Sequence, residues 1–166
     1  MIQLLKNVHC KTSKTKLQSL EMTKRIVQSE CIDSQLDAMT QALLQQAIQS
    51  VTTHGVFNLV LSDSDALGHL YARLMYDPDL RAMPWNATHL WFLRGVEESI
   101  VCHSGIPEEN VHSNTVDTPM DCCLISCSDI GAISEELSQH CTAFLVLADT
   151  NKSIDWDHSG VAHWFC

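Results

Sequence analysis

The sequence predicts a single three-layer α/β sandwich built around a mostly parallel sheet. Four short segments are almost continuously apolar, which is typical of strands buried on both faces. Amphipathic helical patterns separate these segments, and this alternation is typical of a Rossmann-like sheet with helices on its faces. The chain has 166 residues, of which 45% are hydrophobic and 18% charged, so it suffices for one domain with a substantial core.

The apolar patterns also predict where the elements lie. A helix is expected over 34–53, with Ser34 as its N-cap and Gly55 ending it. A second helix should follow Ser64, and a short one should cover 129–139. The predicted central strands, adjacent in the sheet, cover 56–61, 90–93, 123–125 and 144–147, and a terminal strand is expected in GVAHWFC.

Charge divides the chain into a basic N-terminal extension (1–31) and an acidic domain (32–166). The net charge is +5 up to Arg25 and −15 from Ile26 onward, which gives −10 overall. An acidic body repels nucleic-acid backbones and anionic membranes, and no apolar run is long enough to span a bilayer. We therefore expect neither nucleic acid nor a membrane as a partner. The basic segment is interpreted as a solvated arm, with a nucleic-acid-binding arm as the less favoured alternative.

The eight cysteines are irregularly spaced and form no C-x-x-C pair, so no metal site is expected. Cys122, Cys123 and Cys127 lie in or directly after an apolar, strand-like run. We interpret them as free thiols without a disulfide, with Cys122 and Cys123 on opposite sides of the sheet. No cofactor is predicted.

Several segments carry a family resemblance. NLVLSDSDALGHLYARL is followed by MPWNATHLWFLR, then by IPEENVH, DCCLISCSDIGA and the closing WDHSGVAHWF. From about residue 34 to the C-terminus, this series resembles the 6-phosphogluconolactonase / glucosamine-6-phosphate isomerase family. Within that family, PWNATHLW and the HSG ending are most similar to the lactonase domain of endoplasmic-reticulum hexose-6-phosphate dehydrogenase. The resemblance implies an α/β fold and a sugar-phosphate site at the carboxyl ends of the strands.

The resemblance assigns a vestigial substrate-binding role to four residues, Ser62, Ser64, Arg94 and Gly131. In the family, the first of these loops binds phosphate on its backbone, with glycines allowing close approach. Here Asp63 and Asp65 occupy that loop and oppose an anion, although both could simply stabilise the start of a helix.

The general base implied by the resemblance is missing. The family's D-G-H triplet corresponds to Ile130, Gly131 and Ala132, and alanine cannot take up a proton. We therefore assign no catalytic residue and expect a pseudoenzyme that acts as a binding or scaffold module. The alternatives are an active sugar-phosphate lactonase of the pentose phosphate pathway with a diverged site, and a ligand-binding regulator with a reshaped pocket.

The sequence also bears on the binding partner and on the cellular compartment of the protein. The sequence is compatible with a protein partner or a small anionic sugar. We expect a cytoplasmic location, with the endoplasmic-reticulum lumen as the alternative if the chain belongs to a longer secretory precursor. The sequons at Asn86 and Asn151 would matter only in that second case.

Overall fold

A computed structural model describes residues 23–113, 118–148 and 156–166, and these ranges form a seven-stranded sheet with four α-helices. The strands are β1 (Thr23–Val27), β2 (Phe57–Leu61), β3 (Thr88–Phe92), β4 (Val111–His112), β5 (Met120–Ser126), β6 (Cys141–Leu147) and β7 (Val161–Phe165). Their order is β1-β7-β6-β5-β2-β3-β4, and every pairing is parallel. The predicted α/β class is confirmed.

Helices cover both faces of this sheet. They are α1 (Ile32–His54), α2 (Gly68–Tyr76), α3 (Glu98–His103) and α4 (Glu135–His140). Leu43 of α1, Leu70 of α2 and Ile100 of α3 pack into one core on the first face. Leu137 of α4 belongs to a second core on the other face. The three predicted layers are therefore present.

The four predicted central strands are adjacent in the sheet, as β6, β5, β2 and β3, and the terminal strand is β7. Strands β1 and β4 and helix α3 were not predicted. Strand β1 lies inside the segment assigned to the basic extension, while residues 1–22 lie outside the described ranges. It pairs with β7, in register from Thr23 with Val161 to Val27 with Phe165.

Helix boundaries differ from the prediction at their N-termini. The N-cap of α1 is Cys31 rather than Ser34, whereas its C-cap is Gly55 as predicted, with φ of 88°. Ser64 precedes a 3-10 turn, so that α2 begins only at Gly68. The helix predicted over 129–139 is two elements, because a 3-10 helix over Cys127–Ala132 ends before Ser134 caps α4.

Neighbouring cysteines on β5 face opposite layers, as expected. Cys122 belongs to the core under α1 and α2, and Cys123 to the core on the α4 side. Burial raises the pKa of both thiols well above its usual value.

Among the described residues, no helix is long and apolar enough to cross a membrane.

Candidate functional site

The candidate site lies where β2, β3 and β5 end side by side. Parallel strands place their carboxyl ends at the same edge of the sheet, which is the usual position of ligands in open α/β folds. The backbone hydrogen bonds between these strands continue one residue beyond the ends of β2 and β3. Ser62 N–H donates to Leu124 O at 3.1 Å, and Leu93 N–H donates to Leu61 O at 2.8 Å. The loops after these residues therefore meet at one place.

A cluster of hydroxyl groups around a buried carboxylate occupies this place. Ser126 Oγ lies 3.1 Å from Ser64 Oγ and 2.6 Å from Ser128 Oγ. It donates to Asp129 Oδ2 at 2.8 Å, and Asp129 is only 1% exposed. The cluster thus joins the loop after β2 to the loop after β5.

Asp129 also caps the 3-10 helix that follows β5. Its Oδ2 accepts the Ser126 backbone N–H at 2.8 Å, while the Ser126 hydroxyl accepts the Asp129 N–H in return. This reciprocal pairing is a capping box, which satisfies backbone groups that a short helix would otherwise leave unbonded. The carboxylate thus has a structural role independent of any ligand.

Arg94 supplies the positive charge of the site. Its guanidinium Nη2 lies 3.7 Å from Asp129 Oδ1, and its side chain is 52% exposed. The arginine that the resemblance assigned to an anionic substrate therefore lies beside an acidic residue of the same chain. Its charge is partly neutralised before any ligand arrives.

The loop after β2 places a second carboxylate at the site. Asp63 lies against the backbone of Gly95, so closely that a Cβ on this glycine would be 2.7 Å from Asp63 Oδ2. The Ser64 N–H is directed inward and donates to Ser62 Oγ at 3.2 Å. This loop consequently presents a carboxylate where a phosphate-binding loop would present free backbone N–H groups.

Tyr71 lies beneath this loop, and its hydroxyl donates to the Ser62 carbonyl. Burial, with smaller contributions from the charges of Glu97, Asp129 and Asp63, raises the pKa of Tyr71 well above its usual value. The buried Tyr71 hydroxyl therefore stays protonated and acts as a donor to the loop after β2.

The predicted site residues fall into two groups. Ser62, Ser64 and Arg94 lie around the cluster, whereas Gly131 is exposed, and a Cβ built on it would meet no atom within 4 Å. Within the described residues, no other part of the chain therefore requires a glycine at this position. Ala132, which the resemblance aligned with the family's general base, is the half-buried last residue of the 3-10 helix.

Sequence reasoning did not assign Asp129 and Tyr71 to the site. The spacing of Ser126 and Asp129 is that of a capping box, with Asp in the place of the usual Glu or Gln, and it could have identified the carboxylate. Tyr71 has no such signal, because its helical position predicts only a core residue. No group of three or more His, Cys, Asp or Glu side chains within the described ranges could hold a metal ion.

Comparisons with solved structures place this architecture among known folds. The chain is similar to 6-phosphogluconolactonase from Thermotoga maritima, with a TM-score of 0.59, 12% identity, and coverage of 75% of this chain and 84% of that one. It is also similar to the devB protein, with a TM-score of 0.55, 13% identity, and coverage of 86% and 94%. The chain has a lactonase-like fold.

The similarity to known lactonase structures is found by comparing structures, and searches with the sequence do not find it. No protein-family model matches the chain, and no curated protein matches it at a significant level. The strand ends that meet in this fold are those where the segments NLVLSDSDALG and DCCLISCSDIG had been expected to form a site.

Proposed function

We propose that this chain is a lactonase-fold domain that has lost catalysis and acts as a binding or scaffold module. The observation that carries the proposal is the internal pairing of the site. The Ser126 hydroxyl donates to the Asp129 carboxylate, and the Arg94 guanidinium lies 3.7 Å from the other oxygen of this carboxylate. The buried carboxylate of the site is therefore already engaged by two groups of the same chain.

The chemistry of lactone hydrolysis also argues for this loss. Attack of water on a lactone carbonyl requires a group that removes a proton from the water. Ala132 stands where the resemblance places that base, and the Ser126 hydroxyl contacts serine and aspartate side chains. General-base catalysis is typically worth about 10²–10⁴-fold in rate.

Electrostatics oppose a phosphorylated substrate in the same place. Asp63 lies on the backbone of Gly95, and Asp129 already has the guanidinium of Arg94 beside it. Like charges about 4 Å apart repel by roughly 1–4 kcal/mol, depending on how far water screens them. A sugar phosphate would meet this repulsion on entering the site.

The alternative is an active lactonase of the pentose phosphate pathway with a diverged site. One observation favours it: Ser126 Oγ donates to the buried Asp129, and a carboxylate of this kind could accept a proton from a hydroxyl. Against this, the same Asp129 oxygen already accepts the Ser126 backbone N–H.

The decisive experiment is an assay of 6-phosphogluconolactone hydrolysis, with the spontaneous rate subtracted. We expect no acceleration by the purified protein. Turnover that is lost in Asp129→Asn or Arg94→Ala would contradict the proposal and support the alternative.

A rescue variant tests whether the site still accepts the substrate. Ala132→His combined with Asp63→Gly restores a base and removes one opposing carboxylate. Slow turnover in this double variant, absent from either single variant, would indicate a pocket that has lost only its chemistry. If the double variant is inactive, the binding partner should be sought among proteins rather than sugar phosphates.

We further propose a cytoplasmic location, which the free cysteines at Cys122, Cys123 and Cys141 support because reduced thiols persist there. The endoplasmic-reticulum lumen, suggested by the similarity to the hexose-6-phosphate dehydrogenase domain, is the alternative. Asn86 is exposed and would be accessible to glycosylation in that compartment.

A further inference from the structure

The outer face of α1 carries no charge over most of its length. Residues 38–53 include no Asp, Glu, Lys or Arg, although the chain as a whole has a net charge of −10. These 16 residues span about 24 Å of helix. Such a long uncharged surface is unusual, because the exposed side of a helix is typically charged.

This face also exposes apolar surface. Ile48 is 46% exposed, and with Leu44 it borders a shallow groove of about 480 Å³. Gln41, Gln45 and Gln49 complete the groove at a spacing of one helical turn. All three of these glutamines are exposed.

A second copy of the chain fits this face better than a charged partner does. Two copies that each carry −10 repel one another wherever charged surfaces meet, and the outer face of α1 avoids this repulsion. The glutamine amide is both a donor and an acceptor, so a row of glutamines is complementary to itself.

We propose that two copies of this chain form a symmetric dimer by antiparallel packing of their α1 helices around Gln45. In this arrangement, Gln45 of each copy faces its equivalent, and Gln41 lies level with Gln49 of the second copy. Asp37, which would lie near the C-terminal end of the other helix, is already paired with Arg73 of its own copy. The opposed helix dipoles favour this direction.

The interface is small. One helix face falls short of the roughly 800 Å² that each partner of a standard interface buries, so the dimer should be weak and dependent on concentration. Sedimentation equilibrium from about 1 to 500 µM should show the mean mass rising from 18.6 kDa towards twice that value.

Charge substitutions at the centre identify the surface. Gln45→Glu and Gln45→Lys each place two like charges against one another and should each raise the dissociation constant at least about fivefold. An equimolar mixture of the two variants should associate more strongly than either variant alone, because opposite charges then meet. Gln139→Glu and Gln139→Lys, on the exposed side of α4, are matched controls and should leave association unchanged.

Three results would overturn the proposal. The first is a wild-type protein that stays monomeric over the whole concentration range. The second is dimerisation that neither Gln45 variant weakens, and the third is a mixture that associates no better than its components. Circular dichroism of each variant checks that the substitutions leave the fold intact.

Discussion

Asp129 connects three parts of the candidate site through a single side chain. One of its oxygens accepts both the backbone N–H and the hydroxyl of Ser126, and the other lies 3.7 Å from the Arg94 guanidinium. Because Asp129 and Ser126 are both almost fully buried, removing the carboxyl group would leave the Ser126 backbone N–H without this partner in a place that water barely reaches. The carboxylate thus contributes to stability as well as to the charge of the site.

Asp129→Ala should therefore lower the free energy of unfolding by roughly 2 kcal/mol, the typical cost of unsatisfied buried donors. Urea denaturation followed by circular dichroism measures this loss. Asp63→Ala, which removes an exposed carboxylate from the same site, is the control and should change stability by less than about 0.5 kcal/mol. Equal effects of the two substitutions would contradict the structural role of Asp129.

Among the secondary-structure elements, β7 depends on a tight backbone approach just before it begins. Gly160 lies against the residues that start β6, and a Cβ on Gly160 would be 2.2 Å from Cys141 O and 2.6 Å from Thr142 O. Both neighbours are backbone atoms, which cannot rotate away as a side chain can. The glycine of the HSG ending, which carried part of the family resemblance, is thus explained by packing.

Gly160→Ala should destabilise the protein by about 3 kcal/mol, because the chain must move apart at the β6–β7 junction to admit one methyl group. Gly131→Ala is the matched control, since the space around Gly131 is open and its φ is not positive. That control should be neutral or slightly stabilising. Thermal melts of both variants test the pair, and similar melting temperatures would be incompatible with the close approach at Gly160.

At the scale of the whole molecule, three cysteines lie inside the packed layers of the sheet. Cys122, Cys123 and Cys141 are buried, and burial raises the pKa of Cys141 to about 12. A thiol reacts through its thiolate, so these residues should resist alkylation as long as the domain stays folded.

In native protein treated with iodoacetamide, we expect these three thiols to stay unmodified, as measured by peptide mass spectrometry.

A separate sample, denatured without reductant and not previously alkylated, should yield all eight free thiols. A sample reduced before denaturation provides the reference value. Clearly fewer thiols without reductant would indicate a disulfide and favour an oxidising compartment.

The central part of the sheet could be predicted because its strands are apolar on both faces, which leaves a clear pattern. The two edge strands, β1 and β4, could not be predicted in this way. Strand β1 carries the exposed residues Lys24 and Arg25, and β4 has only two residues, Val111 and His112. Their strand conformation depends on pairing with a neighbour, and a single sequence does not reveal this pairing.

The candidate site was predictable to a similar extent. The position of Ser62, Ser64 and Arg94 follows from the rule that parallel strands present their carboxyl ends together. The contact between Arg94 and Asp129 depends on how loops from two different strands fold over the sheet, and no local pattern encodes it.

The pairing of β1 with β7 also affects how the protein is made. Within the described residues, β7 is the sheet partner of β1, and Cys166 N–H donates to the Val27 carbonyl at 3.0 Å. These two strands are the first and last of the described chain. During synthesis on the ribosome, β1 emerges before β7 and lacks this partner strand until β7 has also emerged. Until β7 has been synthesised, the nascent chain therefore carries an unpaired strand edge, which exposes it to aggregation and to chaperones.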